Sequence, residues 1–337
     1  MNTSAATAGQ PMRGPRTRKR FVRPIPTEGD NGVYTQSWFP LALSVDVPAG
    51  AVVGREFLDG KVVVYRGESG AVSVMSAYCP HLGADLSVGR VVGDHVQCPF
   101  HHWEFDADGW CAKTGIGDPP PPNACLFKFP VCEKFGIVWA FNGEEPLFEL
   151  PDFPIPEDQL EIRNYKFETP VTCDGWVFSA NTPDMQHLKV VHQIQFNTED
   201  PHDLVEWLPF GFDYTYDAVH QGGVPMKMRL GIRGSSFFWR TGHYDGWWRG
   251  TVTGYGLPRG GAHTIYGCNA VLKGPNAERQ LATAQMLSTR TVNEDLPILN
   301  SIHYAPGHLT RSDKSLARFL NYLRDYPRAH PSADFIR

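Results

Sequence analysis

The sequence predicts an α+β protein of two domains, an antiparallel β-domain followed by a larger domain of strands and helices. Three observations carry this. From 33 to 145 the apolar segments are short, rich in β-branched and aromatic residues, and separated by Gly, Asp and Pro. A proline-rich stretch without periodicity, 146–160, then reads as a linker. Beyond it, in 161–337, strand-like segments alternate with helical ones. A length of 337 residues suits two domains of about 150 residues each.

Taken in order, residues 1–32 read as a tail, with six bases among prolines and little to bury. KVVVYRG (61–67), AVSVMSAY (71–78), VVGDHVQCPF (91–100) and FGIVWAF (135–141) read as strands of a small barrel or sandwich. A helix is expected to start near Thr182–Pro183, since Pro is tolerated in a first helical turn. Residues 204–290 return to strand character. Over 312–327, Leu316, Phe319, Leu320 and Leu323 fall at i, i+3, i+4 and i+7, the pattern of an amphipathic helix.

Composition narrows the function. Thirty-six acidic against thirty-one basic residues give a net charge of −5, which argues against a nucleic-acid binder. No stretch approaches the roughly 18 apolar residues of a membrane span. The first residues lack the apolar segment of a secretory signal. Seven cysteines, an odd number, fit a reducing compartment, and a cytoplasmic location is expected.

Two constellations suggest metals. Cys79-Pro80-His81 is followed, after sixteen residues, by Cys98-Pro99-Phe100-His101. A Rieske [2Fe–2S] cluster needs two thiolates on one iron and two imidazoles on the other, and two loops offering one Cys and one His each meet that demand. Cys79 and Cys98 then take one iron, His81 and His101 the other. Zinc is the competing reading, but its usual order is Cys-Cys then His-His. His102 and Cys111 fall off the pattern and read as packing residues. The Pro119–Pro122 run reads as a loop over the cluster or as a rigid surface turn. The second constellation is Asn181-x2-Asp184-x2-His187-x4-His192. Two histidines and a carboxylate form the facial triad of non-haem Fe(II) oxygenases. Five residues of ideal helix separate His187 from His192 by about 140°, so the helix must break or bulge between them. Asp184, one turn before His187, suits a carboxylate that orients the imidazole.

Together these motifs resemble the catalytic α subunits of Rieske non-haem iron oxygenases over about residues 35–300, in particular the group of dicamba and vanillate O-demethylases and ketosteroid 9α-hydroxylase. The resemblance implies a Rieske β-domain and a helix-grip (START-like) catalytic domain, its sheet curved around a long C-terminal helix. It implies that the third iron ligand comes from a late Glu-Asp pair at a helix start, here Asp295, with Glu294 as its rival. It gives Asp184 the role of linking His187 to the neighbouring subunit's His101, and it places Asn181 near the iron, where helix capping is the other reading. It implies a homotrimer, a ferredoxin or flavin reductase as electron donor, O2 as co-substrate, and NAD(P)H used only through the reductase.

The expected activity is hydroxylation, as mono-oxygenation or oxidative demethylation, of a largely apolar cyclic or aromatic small molecule. Ring cis-dihydroxylation and a non-catalytic electron carrier are the alternatives. Among the aromatic residues of 205–270, some suit a pocket and most a core. Arg229, Arg233, Arg240 and Arg249 offer either a carboxylate site or solvated strand faces.

Overall fold

The computed structural model describes residues 23–167, 169–259, 261–304 and 308–337. The bases read as a tail fall largely in residues 1–22, outside the described residues. From residue 23 on, the expected tail is packed: Ile25 is buried in the core of the second domain, and the carboxylate of Glu28 accepts from both N–H and hydroxyl of Thr35. Burial pushes Glu28 up to about 7, against the pull of Arg328.

The first domain is built from three small antiparallel sheets. One joins Val52–Phe57, Gly60–Arg66, Val72–Ser76 and Lys128–Phe129; a second joins Trp38–Leu43, Val131–Lys134 and Ile137–Phe141. The third, with strands Arg90–Val92, His95–Gln97, Glu104–Phe105 and Cys111–Lys113, is a platform for the Cys98 loop. The β-branched segments read from the sequence supply the core: Val62, Val63, Val64, Ile137 and Val138 are all fully buried.

The second domain is one large antiparallel sheet. Its strands run Leu160–Lys166, Ile265–Leu272, Trp247–Tyr255, Phe237–Tyr244, Val224–Arg233, Gly211–His220 and Gln195–Phe196 across the sheet, with Val205–Leu208 also paired to Gly211–His220. Period-two alternation gives the sheet two apolar faces. On one face Phe237, Trp248 and Val252 form a core with Trp38 and Trp139 of the first domain. The stretch read as a linker joins that core through Leu150 and Phe153. The other face carries Tyr214, Tyr216, Met228 and Leu230.

Helices close over this second face. They are α1 (Gly175–Ala180), α2 (Met185–Val190), α3 (Ala277–Leu299) and α4 (Lys314–Asp325). The long helix against the sheet is α3, and it is not the last one; α4 is the amphipathic helix read at 312–327, with Phe319 and Leu323 fully buried. The expected helix near Thr182 starts later, at Met185, because Asp184 is its N-cap and accepts from the N–H of Gln186 and His187.

The chain then returns to the first domain. Arg328–Ala329 pairs with Tyr34–Thr35, and α5 (Ala333–Ile336) seats Ile336 in the first-domain core. Asp59 holds this segment by accepting from His330 at 2.7 Å and Arg337 at 2.9 Å. Residues 326–337 thus serve both domains, which the division at 161–337 does not express.

Candidate metal centres

The two cluster loops share one backbone design. In the first, Cys79 N–H donates to Ala84 O at 2.9 Å and Gly83 N–H to Cys79 O at 2.8 Å. In the second, Cys98 N–H donates to Trp103 O at 2.8 Å and His102 N–H to Cys98 O at 3.2 Å. The fourth residue after each cysteine is left-handed, Gly83 at φ 75° and His102 at φ 56°. His102 is therefore an exposed turn residue and not a packing one. Cys111 is buried, as read.

This design buries the two thiols and exposes the two imidazoles. Cys79 and Cys98 are each 2% exposed, while His81 and His101 face outward with ring centroids 4.7 Å apart. Trp103 stacks on His81 at 4.4 Å and Phe100 lies against His101 at 3.8 Å. Burial pushes the Cys79 thiol up to about 12; Cys98 adds to the push and the His81 N–H opposes it. Two buried, facing sulfurs suit a metal group, which deprotonates a coordinating thiol outright. The four side chains fit a Rieske cluster. Pro119–Pro122 is exposed, and it is the neighbouring turn at Gly115 that packs on the His101 loop: a Cβ there would stand 2.2 Å from His101 O.

The second centre is assembled from α2, the turn after it, and α3. Past Val190 the helix stops; Gln193 takes φ 53° and Ile194 N–H donates to Leu188 O at 3.0 Å. This is the break that the five-residue spacing demands, and it swings His192 back beside His187. The Nε2 atoms of His187 and His192 stand 2.9 Å apart, and Asp295 Oδ1 lies 3.3 Å from the first and 3.2 Å from the second. Ligand bonds of about 2.1 Å at right angles put neighbouring ligand atoms about 3 Å apart, so the triangle matches one face of an octahedral ion. Asp295 Oδ1 is buried and accepts no hydrogen bond among the described residues. A carboxylate oxygen so placed suits a cation at the centre of the triangle. Burial pushes the His187 imidazole below its ordinary value, which favours the neutral ligating form.

Asp295 sits near the end of α3, not at a helix start as the resemblance implied; the helix begins eighteen residues earlier, at Ala277. Pro297 lies in the last turn of α3, where its missing N–H leaves the Asn293 carbonyl without its i+4 donor. Glu294 points elsewhere: its Oε2 lies 3.4 Å from His192 Nδ1 and its Oε1 accepts from Arg290 at 2.7 Å. Burial raises the Glu294 carboxyl, but Arg290 and His192 hold it below its ordinary value. A carboxylate on Nδ1 fixes the tautomer that leaves Nε2 free to ligate. The Arg290–Glu294 spacing of i, i+4 was the sequence signal for this partnership.

Asp184 Oδ1 accepts from the backbone N–H of Gln186 and His187 at 3.0 and 2.9 Å, and not from the His187 ring. Asn181 is the C-cap of α1, not the N-cap of the next helix; its buried Nδ2 has no partner among the described residues. That amide lines a cavity of about 140 Å³ together with the triad. Phe178, Leu188, Ile194, Met228, Leu230 and Phe238 make the cavity largely apolar.

Residues 37–129 match the Rieske [2Fe–2S] domain. A Bombyx mori cholesterol 7-desaturase is 36% identical over 163 residues, 47% of this chain and 36% of that protein. The dicamba O-demethylase oxygenase component of Stenotrophomonas maltophilia is 30% identical over 48% of this chain and 49% of its own length. The chain thus matches less than half of the length of these curated relatives. Among solved structures, dicamba monooxygenase bound to dicamba aligns over 86% of this chain and 97% of that one, with a TM-score of 0.66 at 19% identity. Pseudomonas putida CBB5 NdmA with caffeine aligns over 86% and 89%, with a TM-score of 0.69, also at 19% identity. Residues 37–129 are therefore similar to the Rieske [2Fe–2S] domain, and the chain as a whole shares the fold of dicamba monooxygenase and NdmA.

Proposed function

We propose that this chain is the terminal component of a Rieske-type oxygenase, using O2 and externally supplied electrons to hydroxylate or oxidatively demethylate a largely apolar cyclic or aromatic small molecule. The observation that carries this is the His187–His192–Asp295 triangle opening on an apolar cavity in the same chain as the paired Cys/His loops. An electron carrier needs only the second of these. When bound, the cluster supplies single electrons and the mononuclear iron supplies a redox centre with open positions for dioxygen.

The protein's own part is positioning. His187 and His192 offer neutral Nε2 atoms, and Asp295 supplies the one negative ligand. Glu294 holds the His192 ring by its far nitrogen, and Arg290 holds Glu294. The Asp184 carboxylate fixes the first turn of α2 and so the direction from which His187 approaches. The apolar lining excludes water around the substrate. A ferredoxin or flavin reductase is the proposed donor. Exposed His81 and His101, with Leu82, Phe100 and Trp110 also exposed nearby, suit a contact with a second copy in a homotrimer. Seven free cysteines fit a cytoplasmic setting, and no helix among the described residues is long and apolar enough to cross a membrane.

The test is iron and labile sulfide analysis of purified protein, followed by oxygen uptake with a surrogate reductase across a compound panel. Three irons and two sulfides per chain, with substrate-dependent uptake, are expected. Two irons and no uptake would leave only a carrier. A single zinc without sulfide would remove the reading altogether.

A further inference from the structure

The structure sorts the four strand arginines into two pairs. Arg229 and Arg233 reach Asp213, at 3.1 and 2.6 Å, on the face of the sheet turned away from the cavity. Arg240 and Arg249 line the cavity itself. Arg240 lies opposite Thr251, and Arg249 opposite Gly242, so the two are diagonal neighbours on one face of adjacent strands.

Neither cavity arginine has a carboxylate partner among the described residues. Arg249 is 2% exposed and donates to Thr251 Oγ1 at 3.3 Å and Ser288 Oγ at 3.5 Å. Those hydroxyls belong to a neutral network, each donating in turn to Asn269 Oδ1 at 3.1 and 2.9 Å. The Nε atoms of both arginines are buried without an acceptor. Around them stand Tyr165, Tyr216 and Tyr244, whose burial pushes each phenol up, so they stay protonated and offer no charge. Burial and mutual repulsion press on Arg249, but a guanidinium in a protein does not give up its proton. The acid that lines the same cavity, Asp295, already faces the two histidines. Arg249, buried, and Arg240, partly buried with its Nε fully covered, thus face an apolar cavity with no anion among the described residues to meet them, an arrangement that is costly unless a ligand completes it.

We infer that Arg240 and Arg249 bind the carboxylate of the substrate, so that this site takes a small organic acid with an apolar body and not a neutral hydrocarbon. The inference rests on the oxygenase reading and names its substrate class. Arginine suits this role because its planar fork matches a carboxylate. The geometry also orients the acid. Ser288, against which Arg249 rests, precedes Asp295 by seven residues, about 10 Å along α3. Thr291 and Val292, between them on the helix, line the cavity. The carboxylate is therefore held away from the triad, with the apolar end directed at His187 and His192. A cavity of about 140 Å³ resembles in size one that takes benzene, so the body is on the order of one ring.

The test is titration calorimetry under nitrogen on protein loaded with both metal groups, with matched acids and amides: phenylacetate against phenylacetamide, and 3-phenylpropanoate against 3-phenylpropanamide. Each acid is expected to bind at least about tenfold tighter than its amide, which differs in charge but little in shape. Arg249→Met and Arg240→Met are each expected to erase most of that preference while leaving the amide's Kd within about twofold, and Arg249→Lys to restore part of it. Equal affinity of acid and amide for the unaltered protein overturns the inference, as does failure of both acids to bind at about 1 mM. That comparison needs no variant, so a variant that fails to fold does not blur it. Iron analysis of the same preparations reports on the metal reading separately. An acid preference that persists in iron-depleted Asp295→Ala protein assigns it to the arginines and not to the metal.

Discussion

The two candidate centres solve opposite problems. The first takes all four side chains from two loops of six residues each, built on the same backbone hydrogen bonds, and it leaves both imidazoles exposed. The second takes its side chains from α2, the turn after it, and α3, about a hundred residues apart, and buries them beside an apolar cavity. A group that exchanges electrons with partners must be reached. A group that handles dioxygen and substrate gains from exclusion of water. Histidine serves both, exposed in the first and covered in the second.

Substitutions at four positions test that contrast, from the largest effect to the smallest. Asp295→Ala removes the only negative corner of the triangle. Iron per chain should fall from three to two with the visible cluster spectrum unchanged, and mononuclear iron affinity should drop by more than the roughly 10–100-fold typical of losing an outer partner. If Glu294→Ala did this instead, the ligand assignment would move by one residue. His81→Cys adds thiolate character to the exposed side of the cluster. Its reduction potential should fall from the Rieske range of about −150 to +300 mV toward the region near −400 mV, as read by redox titration with the mononuclear iron retained.

Glu294→Gln should cost about 10–100-fold in iron affinity or turnover, because an amide still reaches His192 Nδ1 but no longer carries the charge that favours its N–H. Retained affinity with full turnover would reduce the contact to surface chemistry. The smallest structural effect belongs to Asp184. Asp184→Ala should destabilise the fold by about 1 kcal/mol in chemical denaturation, the ordinary loss of an N-cap. Asp184→Asn keeps a good cap and should leave stability and iron content near normal. It should nonetheless slow reoxidation of the reduced cluster by O2 in the presence of substrate, followed by stopped flow. Normal reoxidation in that variant would leave Asp184 with a capping role alone.

The cluster loops were legible in the sequence because every side chain and every bond that shapes them lies within a few residues. The helix break between His187 and His192 was legible for a related reason: 3.6 residues per turn forbids the alternative. The position of Asp295 within its helix was not. Its carboxylate meets the histidines only because α3 lies across the sheet, and nothing near residue 295 records that α3 begins at Ala277. The four arginines make the same point. Whether an arginine on a strand meets an acid depends on register with the next strand, and Asp213 serves Arg229 and Arg233 only through the pairing of Gly211–His220 with Val224–Arg233. Residues 23–32 gave a misleading impression because their composition is that of a tail, while Ile25 and Glu28 find partners contributed by distant segments.

The return of residues 326–337 to the first domain bears on modularity. Ile336 O comes so close to Gly60 that a Cβ there would stand 2.0 Å away, and Asn142 donates to both Tyr34 O and Ala329 O, joining the two ends of the described chain. A fragment cut after residue 145 would leave behind Ile336, the ion pairs of Asp59 and the strand opposite Tyr34–Thr35. Recombination between relatives, in nature or in a laboratory chimera, therefore cannot exchange the first domain as a contiguous block. It must carry the last dozen residues along, or supply a donor tail whose shape accepts Gly60 and Asp59.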